Sequence, residues 1–170
     1  MADSELQRVL ALDLRLRSFA FAVFEGPKDL LDWGKRSFRG GVNAVRVPLV
    51  PKIAELFDQY LPDVVVLKRP KTEKLQVIVS EIRRCAIAQK SLVRVLSGKM
   101  LASAFVGSND NKHQIASRIA EQFPELLSIL PPKRRIWQSE GYSMSIFDAV
   151  AVGIAYLARE TASDPLALAS

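Results

Sequence analysis

The chain has 170 residues, which suits one folded domain with a single core. Hydrophobic residues make up 49% and charged residues 25%, a balance that excludes disordered and fibrous proteins. The 24 Lys and Arg against 18 Asp and Glu give a formal net charge of +6, which favours a polyanionic partner such as nucleic acid.

The single cysteine, Cys85, excludes an intrachain disulfide and a cysteine-rich zinc site. No apolar run approaches the roughly 20 residues of a membrane span, and the first residues lack the basic segment of a signal peptide. We therefore expect a cytoplasmic protein without a membrane partner.

The first forty residues predict three antiparallel strands. Within residues 8–14, apolar side chains occupy both odd and even positions, which is typical of a strand buried on both faces. The apolar run ends near Asp13. A second strand is predicted over 18–24, up to a turn at Gly26 and Pro27, and a third over 33–38. Burying an unpaired carboxylate costs several kcal/mol, so Asp13 is expected to meet a cation or hydrogen-bond donors.

Helices and parallel strands alternate in the rest of the chain. A helix near 48–61 leads to a β-branched strand over 63–67, and a helix over 72–89 leads to a fifth strand over 92–96. Three further helices are predicted. One lies near 99–105, one follows the N-cap candidates Asn109, Asp110 and Asn111, and one begins near Ser145, with Asp148 in its first turn. The prediction is an α/β fold with a five-stranded mixed sheet and helices on both faces. Residues 1–160 form the domain, and 161–170 a flexible tail.

Four segments in this order resemble the RuvC-type Holliday-junction resolvases of the ribonuclease-H-like superfamily. They are the first strand with Asp13, the segment 61–67, Lys112-His113-Gln114-Ile115, and the segment 147–152 that contains Asp148. The resemblance implies hydrolysis of DNA by two Mg²⁺ ions held by clustered carboxylates, and it suggests a homodimer. It places Asp13 and Asp148 as catalytic residues and metal ligands.

Two positions depart from the pattern of that family. Lys68 stands where the family has a glutamate, and Ser145 stands where it has a further acidic ligand three residues before Asp148. Lys68 either pairs with Asp13 and Asp148 in place of a metal or points to solvent. Glu140 is the candidate that would replace a missing ligand, although an exposed loop glutamate is an alternative interpretation. A turn-capping role for Asp13 and a helix-dipole role for Asp148 also stay open.

Basic residues predict contacts with phosphate groups. The candidates are Arg15, Arg17, Lys112, Lys133, Arg134 and Arg135, with a solvated basic surface as the alternative. We expect binding of structured or branched nucleic acid, DNA rather than RNA, with impaired nuclease activity. The alternatives are an active Mg²⁺-dependent endonuclease and an interaction domain that binds no nucleic acid.

Overall fold

The computed structural model describes residues 6–38, 46–105, 111–133 and 141–163. Its first three strands are β1 (Arg8–Leu14), β2 (Ser18–Glu25) and β3 (Asp29–Ser37). They pair in antiparallel order, with Asp13 opposite Ala20. The β2–β3 turn contains Gly26 at a φ of +69°, a conformation that L side chains rarely adopt. This turn starts β3 four residues earlier than the predicted Trp33.

Two helical crossovers extend the sheet. Helix α1 (Arg46–Tyr60) leads to β4 (Val64–Lys68), and α2 (Glu73–Ala88) leads to β5 (Leu92–Leu96). β4 pairs in parallel with β1 and with β5, so the strand order is β3-β2-β1-β4-β5. The predicted five-stranded mixed sheet is confirmed, and β1 lies at its centre.

Helices on the two faces of the sheet enclose two apolar cores, so the predicted single core is wrong, because the sheet separates the two sets of buried side chains. Helices α1 and α2 cover the face that includes Leu10 and Leu12. The other face, which includes Val9 and Ala11, is covered by α3 (Gly98–Ala104), α4 (Lys112–Gln122), a 3-10 helix (Pro124–Ile129) and α5 (Met144–Ser163). Side chains alternate between faces along a strand, so β1 directs residues of odd number toward α5.

Helix α5 packs closely on the sheet and extends further than predicted. A Cβ on Gly153 would lie 2.1 Å from a ring carbon of Phe24, so glycine permits the close approach of α5 to β2. The helix begins at Met144 and runs to Ser163, beyond the predicted end at 160. Asp148 is its fifth residue, so the predicted position in the first turn is wrong. None of the described helices is long and apolar enough to cross a membrane.

Candidate nucleic-acid interface

Asp13 and Asp148 lie at the same end of the sheet. Asp13 occupies an odd-numbered position of β1, as Val9 and Ala11 do. Its side chain therefore lies on the face of the sheet that α5 covers. Asp148 lies in the second turn of α5, beyond the first-turn amides that a capping aspartate would serve. The helix-dipole role of Asp148, which requires a position in the first turn, therefore loses its support.

Arg15 joins the two carboxylates. Its Nε donates to Asp13 Oδ2 at 3.0 Å, and its Nη2 donates to Asp148 Oδ2 at 2.8 Å. Lys112, at the start of α4, donates from Nζ to the same Asp148 oxygen at 3.3 Å. A capping box between Asn111 and Gln114 fixes the first turn of α4, and with it the backbone that carries Lys112.

Burial dominates the electrostatics of Asp13. It raises the pKa of this carboxyl above the ordinary value of 3.8, because the charged form loses solvation. The hydrogen bond from Arg15 lowers the pKa and the charge of Asp148 raises it, while the charges of Arg15 and Lys112 also lower it. The net direction is upward, so Arg15 does not fully offset the cost of burying this charge.

A cavity of about 640 Å³ opens beside this cluster. It lies at the carboxyl ends of β1 and β4, where open α/β sheets commonly bind ligands. Two carboxylates and five basic residues contribute to its lining, namely Asp13, Asp148, Arg15, Lys68, Arg69, Lys71 and Lys112. Their formal charges sum to +3, so the lining favours an anion.

The residues present do not fit a divalent metal. Within 6–38, 46–105, 111–133 and 141–163, no group of three or more His, Cys, Asp and Glu residues is placed to hold an ion. Mg²⁺ requires near-octahedral oxygen ligands, whereas Asp13 and Asp148 are both engaged by a guanidinium. A metal between them would require displacement of Arg15.

Lys68 does not make the ion pair that was one of its two predicted roles. It is exposed and lines the cavity, and no ion pair joins it to a carboxylate in the described part of the chain. Arg15 takes the place between the carboxylates instead. The reason is positional, since Arg15 directly follows the last residue of β1 and lies only two residues after Asp13.

The other predicted site residues are dispersed. Ser145 is buried, contacts Tyr142 O at 3.5 Å, and does not contribute to the cavity lining. Arg17 and Lys133 are exposed residues outside the lining. Glu140, Arg134 and Arg135 lie outside the described residues, so their predicted roles stay predictions.

Part of the cavity lining was not predicted from the sequence. Arg69 and Lys71 contribute to the basic side, and their proximity to Lys68 in the sequence was the available signal. The apolar side formed by α3 and its neighbours, which includes Leu101 and Phe105, was not predicted either. No motif marks that side, because its residues look like ordinary helix-packing positions.

Comparisons with known proteins identify the fold. No protein-family model matches the sequence, and no curated protein matches it either. Among solved structures, the chain is similar to Thermus thermophilus RuvC at 11% identity and a TM-score of 0.68, covering 92% of this chain and 98% of that one. It is also similar to the yeast mitochondrial Holliday junction resolvase, at 14% identity and a TM-score of 0.66, with coverage of 89% and 78%.

A third similar structure is the fowlpox virus resolvase in complex with its substrate Holliday junction DNA. It is 18% identical, has a TM-score of 0.64, and matches over 91% of this chain and 99% of that chain. These similarities confirm the predicted ribonuclease-H-like fold of the RuvC type. At such identities they establish the fold alone.

Proposed function

We propose that this protein binds branched DNA at the carboxyl ends of β1 and β4, and that it does so without a divalent metal. The observation that carries the proposal is the Arg15 guanidinium between Asp13 and Asp148, in a cavity whose lining has a net formal charge of +3. The similarity to resolvases, two of which were solved with Holliday junction DNA, supports DNA as the polyanion.

Charge makes phosphate the natural ligand of this surface. Lys68, Arg69 and Lys71 are exposed, and no carboxylate pairs with them in the described part of the chain. Each such side chain releases a counterion when it neutralises a phosphate, so affinity falls steeply with salt concentration. A branch point brings several phosphates close together, which suits a compact group of cations.

The same geometry supports impaired nuclease activity. A guanidinium about 4 Å from a divalent ion is repelled by roughly 8 kcal/mol at an effective dielectric of about 20. The two carboxylates are the only acidic residues in the described lining, and Arg15 contacts both. Catalysis through two metal ions requires more ligand charge than this.

Charge reversal on the cavity tests the proposal. We compare the Lys68→Glu/Lys71→Glu variant with Arg83→Glu/Arg84→Glu, which makes the same charge change at exposed positions of α2 that do not line the cavity. Fluorescence anisotropy of a four-way DNA junction in EDTA should show an affinity loss of about tenfold or more, and a smaller salt slope by about 2, for the cavity variant alone. Equal losses in both variants would contradict the proposal.

A cleavage assay and a wider set of binding assays test the rival functions. Junction cleavage in Mg²⁺ or Mn²⁺ that disappears in Asp148→Asn would establish the active endonuclease. If the protein binds neither a DNA junction, nor a duplex, nor an RNA junction at low salt, the remaining function is an interaction domain that binds no nucleic acid. The homodimer and the cytoplasmic location stay predictions, which sedimentation and cell imaging would test.

A further inference from the structure

The cavity beside Arg15 has two chemically different sides. Its polar side carries the cations and carboxylates described above. Its apolar side includes Leu75 at the start of α2, Leu101 and Phe105 at α3, Ile115 on α4 and Met144 on α5. Four of these five side chains are partly exposed in the described structure, and Met144 alone is buried.

Phosphate binding does not explain the apolar side. A DNA backbone that contacted only the rim would satisfy the cations and would leave Leu101 and Phe105 exposed to water. Exposed apolar surface enclosed in a concave site is typical of ligand pockets, which occupy about 300–1,000 Å³. The volume of about 640 Å³ lies within that range.

A nucleotide has the same two parts as the cavity. Its phosphate carries negative charge and its base presents a flat, largely apolar face. An aromatic ring such as that of Phe105 provides a stacking partner, which is worth about 1–3 kcal/mol per base. A base within a duplex cannot reach such a pocket, so the nucleotide must be unpaired or displaced from the stack.

We infer that the cavity binds one unstacked nucleotide, with its phosphate toward Arg15, Lys68 and Lys112 and its base against Leu101 and Phe105. The inference deepens the proposed function, since an unpaired nucleotide at a branch point is one source of the ligand. A free mononucleotide is the other source. The two share one chemistry, and the experiments below separate them.

The first experiment places 2-aminopurine at each nucleotide that flanks the branch point. Its fluorescence rises when it leaves the base stack, so binding of the native protein should cause a severalfold increase at one position. The Ala102→Trp variant adds bulk to the cavity lining at an exposed position, and the exposed Ala88→Trp at the end of α2 is its matched control. The first variant should lose the signal and about tenfold in affinity, and the second should lose neither.

The second experiment needs no junction. Methyl NMR spectra are recorded with deoxyadenosine monophosphate, with deoxyadenosine and with inorganic phosphate. The mononucleotide should shift the methyl signals of Leu101, Ile115 and Met144 in the native protein and not in Ala102→Trp. The methyls of Ile87 and Leu127, which are exposed elsewhere, should not shift with any of the three.

Each outcome decides between the proposals. Shifts with the mononucleotide support a cavity that accepts the free ligand, and a 2-aminopurine response alone supports a nucleotide held within a strand. Junction binding without either response overturns the inference and leaves the proposed function intact. Methyl shifts without junction binding support the nucleotide pocket and overturn the proposed function. Absence of all three signals overturns both.

Discussion

One arginine begins β1 and another directly follows it. Each contacts two acidic residues, but the surroundings of the two arginines differ. At the first end, the Arg8 guanidinium contacts Glu25 at 2.7 Å and Tyr60 O at 3.0 Å, while its backbone N–H donates to Asp63 at 2.8 Å. At the second end, Arg15 contacts Asp13 and Asp148 in a cavity with four further basic residues.

The two arginines show that the balance of positive and negative charge around a residue distinguishes a structural contact from a candidate binding site. The contacts of Arg8 join the start of β1 to the end of β2 and to the chain before β4, and Arg8 does not line the cavity. Around Arg15 the cations outnumber the carboxylates, and the excess faces a cavity. Arg8 therefore stabilises the fold, whereas Arg15 is proposed to serve binding.

The largest expected effect is on DNA affinity. Arg15→Gln should weaken junction binding by about tenfold, because it removes the central cation of the cavity. The same neutral substitution at the other end, Arg8→Gln, should change affinity by less than about twofold, because that residue is remote from the proposed phosphate contacts. Anisotropy titrations at one fixed salt concentration compare the two variants. Equal losses of affinity would contradict the different roles of Arg8 and Arg15.

The second effect concerns metal affinity. Arg15→Gln combined with Lys68→Glu replaces two cations of the lining with a neutral group and a carboxylate, so three acids would face the cavity. We expect the affinity for Mn²⁺ to rise severalfold over that of the native protein, since hard cations require oxygen ligands and are repelled by nearby positive charge. Calorimetry measures the gain. An unchanged affinity would show that Arg15 does not exclude the ion.

A smaller effect is expected on stability. Arg8→Gln should lower the free energy of unfolding by about 1 kcal/mol, because charged hydrogen bonds are lost at a partly exposed site. Arg15→Gln should cost less, since four other basic residues of the lining remain near the two carboxylates and the lining loses part of its excess positive charge. Urea denaturation followed by circular dichroism compares the two variants, and the reverse order would contradict the assignment of Arg8 as the structural member.

The smallest effect is a pH dependence. Because the folded pKa of Asp13 lies above its ordinary value of 3.8, the folded state binds more protons than the unfolded state between these two values. This group therefore adds stability as the pH falls through that window, and Asp13→Asn lacks the contribution. In thermal melts from pH 7 to pH 4, the melting temperature of the native protein should rise relative to that of Asp13→Asn as the pH falls. The exposed Asp29→Asn serves as the reference variant. Parallel curves would contradict the raised pKa.

Most of the strands and helices could be predicted from the sequence, because the patterns that indicate them depend only on neighbouring residues. The apolar run at β1 and the β-branched run at β4 each identify a buried strand. The early start of β3 was missed because residues 29–32 alternate weakly and their pairing depends on the turn at Gly26. The start of α5 was misplaced by one residue, which was enough to put Asp148 in the wrong turn.

The site was harder to predict because it depends on contacts between distant segments. Asp13 and Asp148 were selected from the sequence, but the cation between them was assigned to Lys68 as one alternative. Arg15 directly follows β1 and comes two residues after Asp13, and that short spacing was the available signal. The arrangement of Leu101 and Phe105 around the cavity follows only from the packing of α3 against its neighbours.

We propose that the Arg15 guanidinium, and no metal ion, occupies the space between the two carboxylates. The most direct measurement is anomalous diffraction from crystals soaked in Mn²⁺. We expect electron density for the Arg15 side chain between Asp13 and Asp148, without an anomalous peak there. An Mn²⁺ peak bound by both carboxylates, with Arg15 displaced, would contradict it.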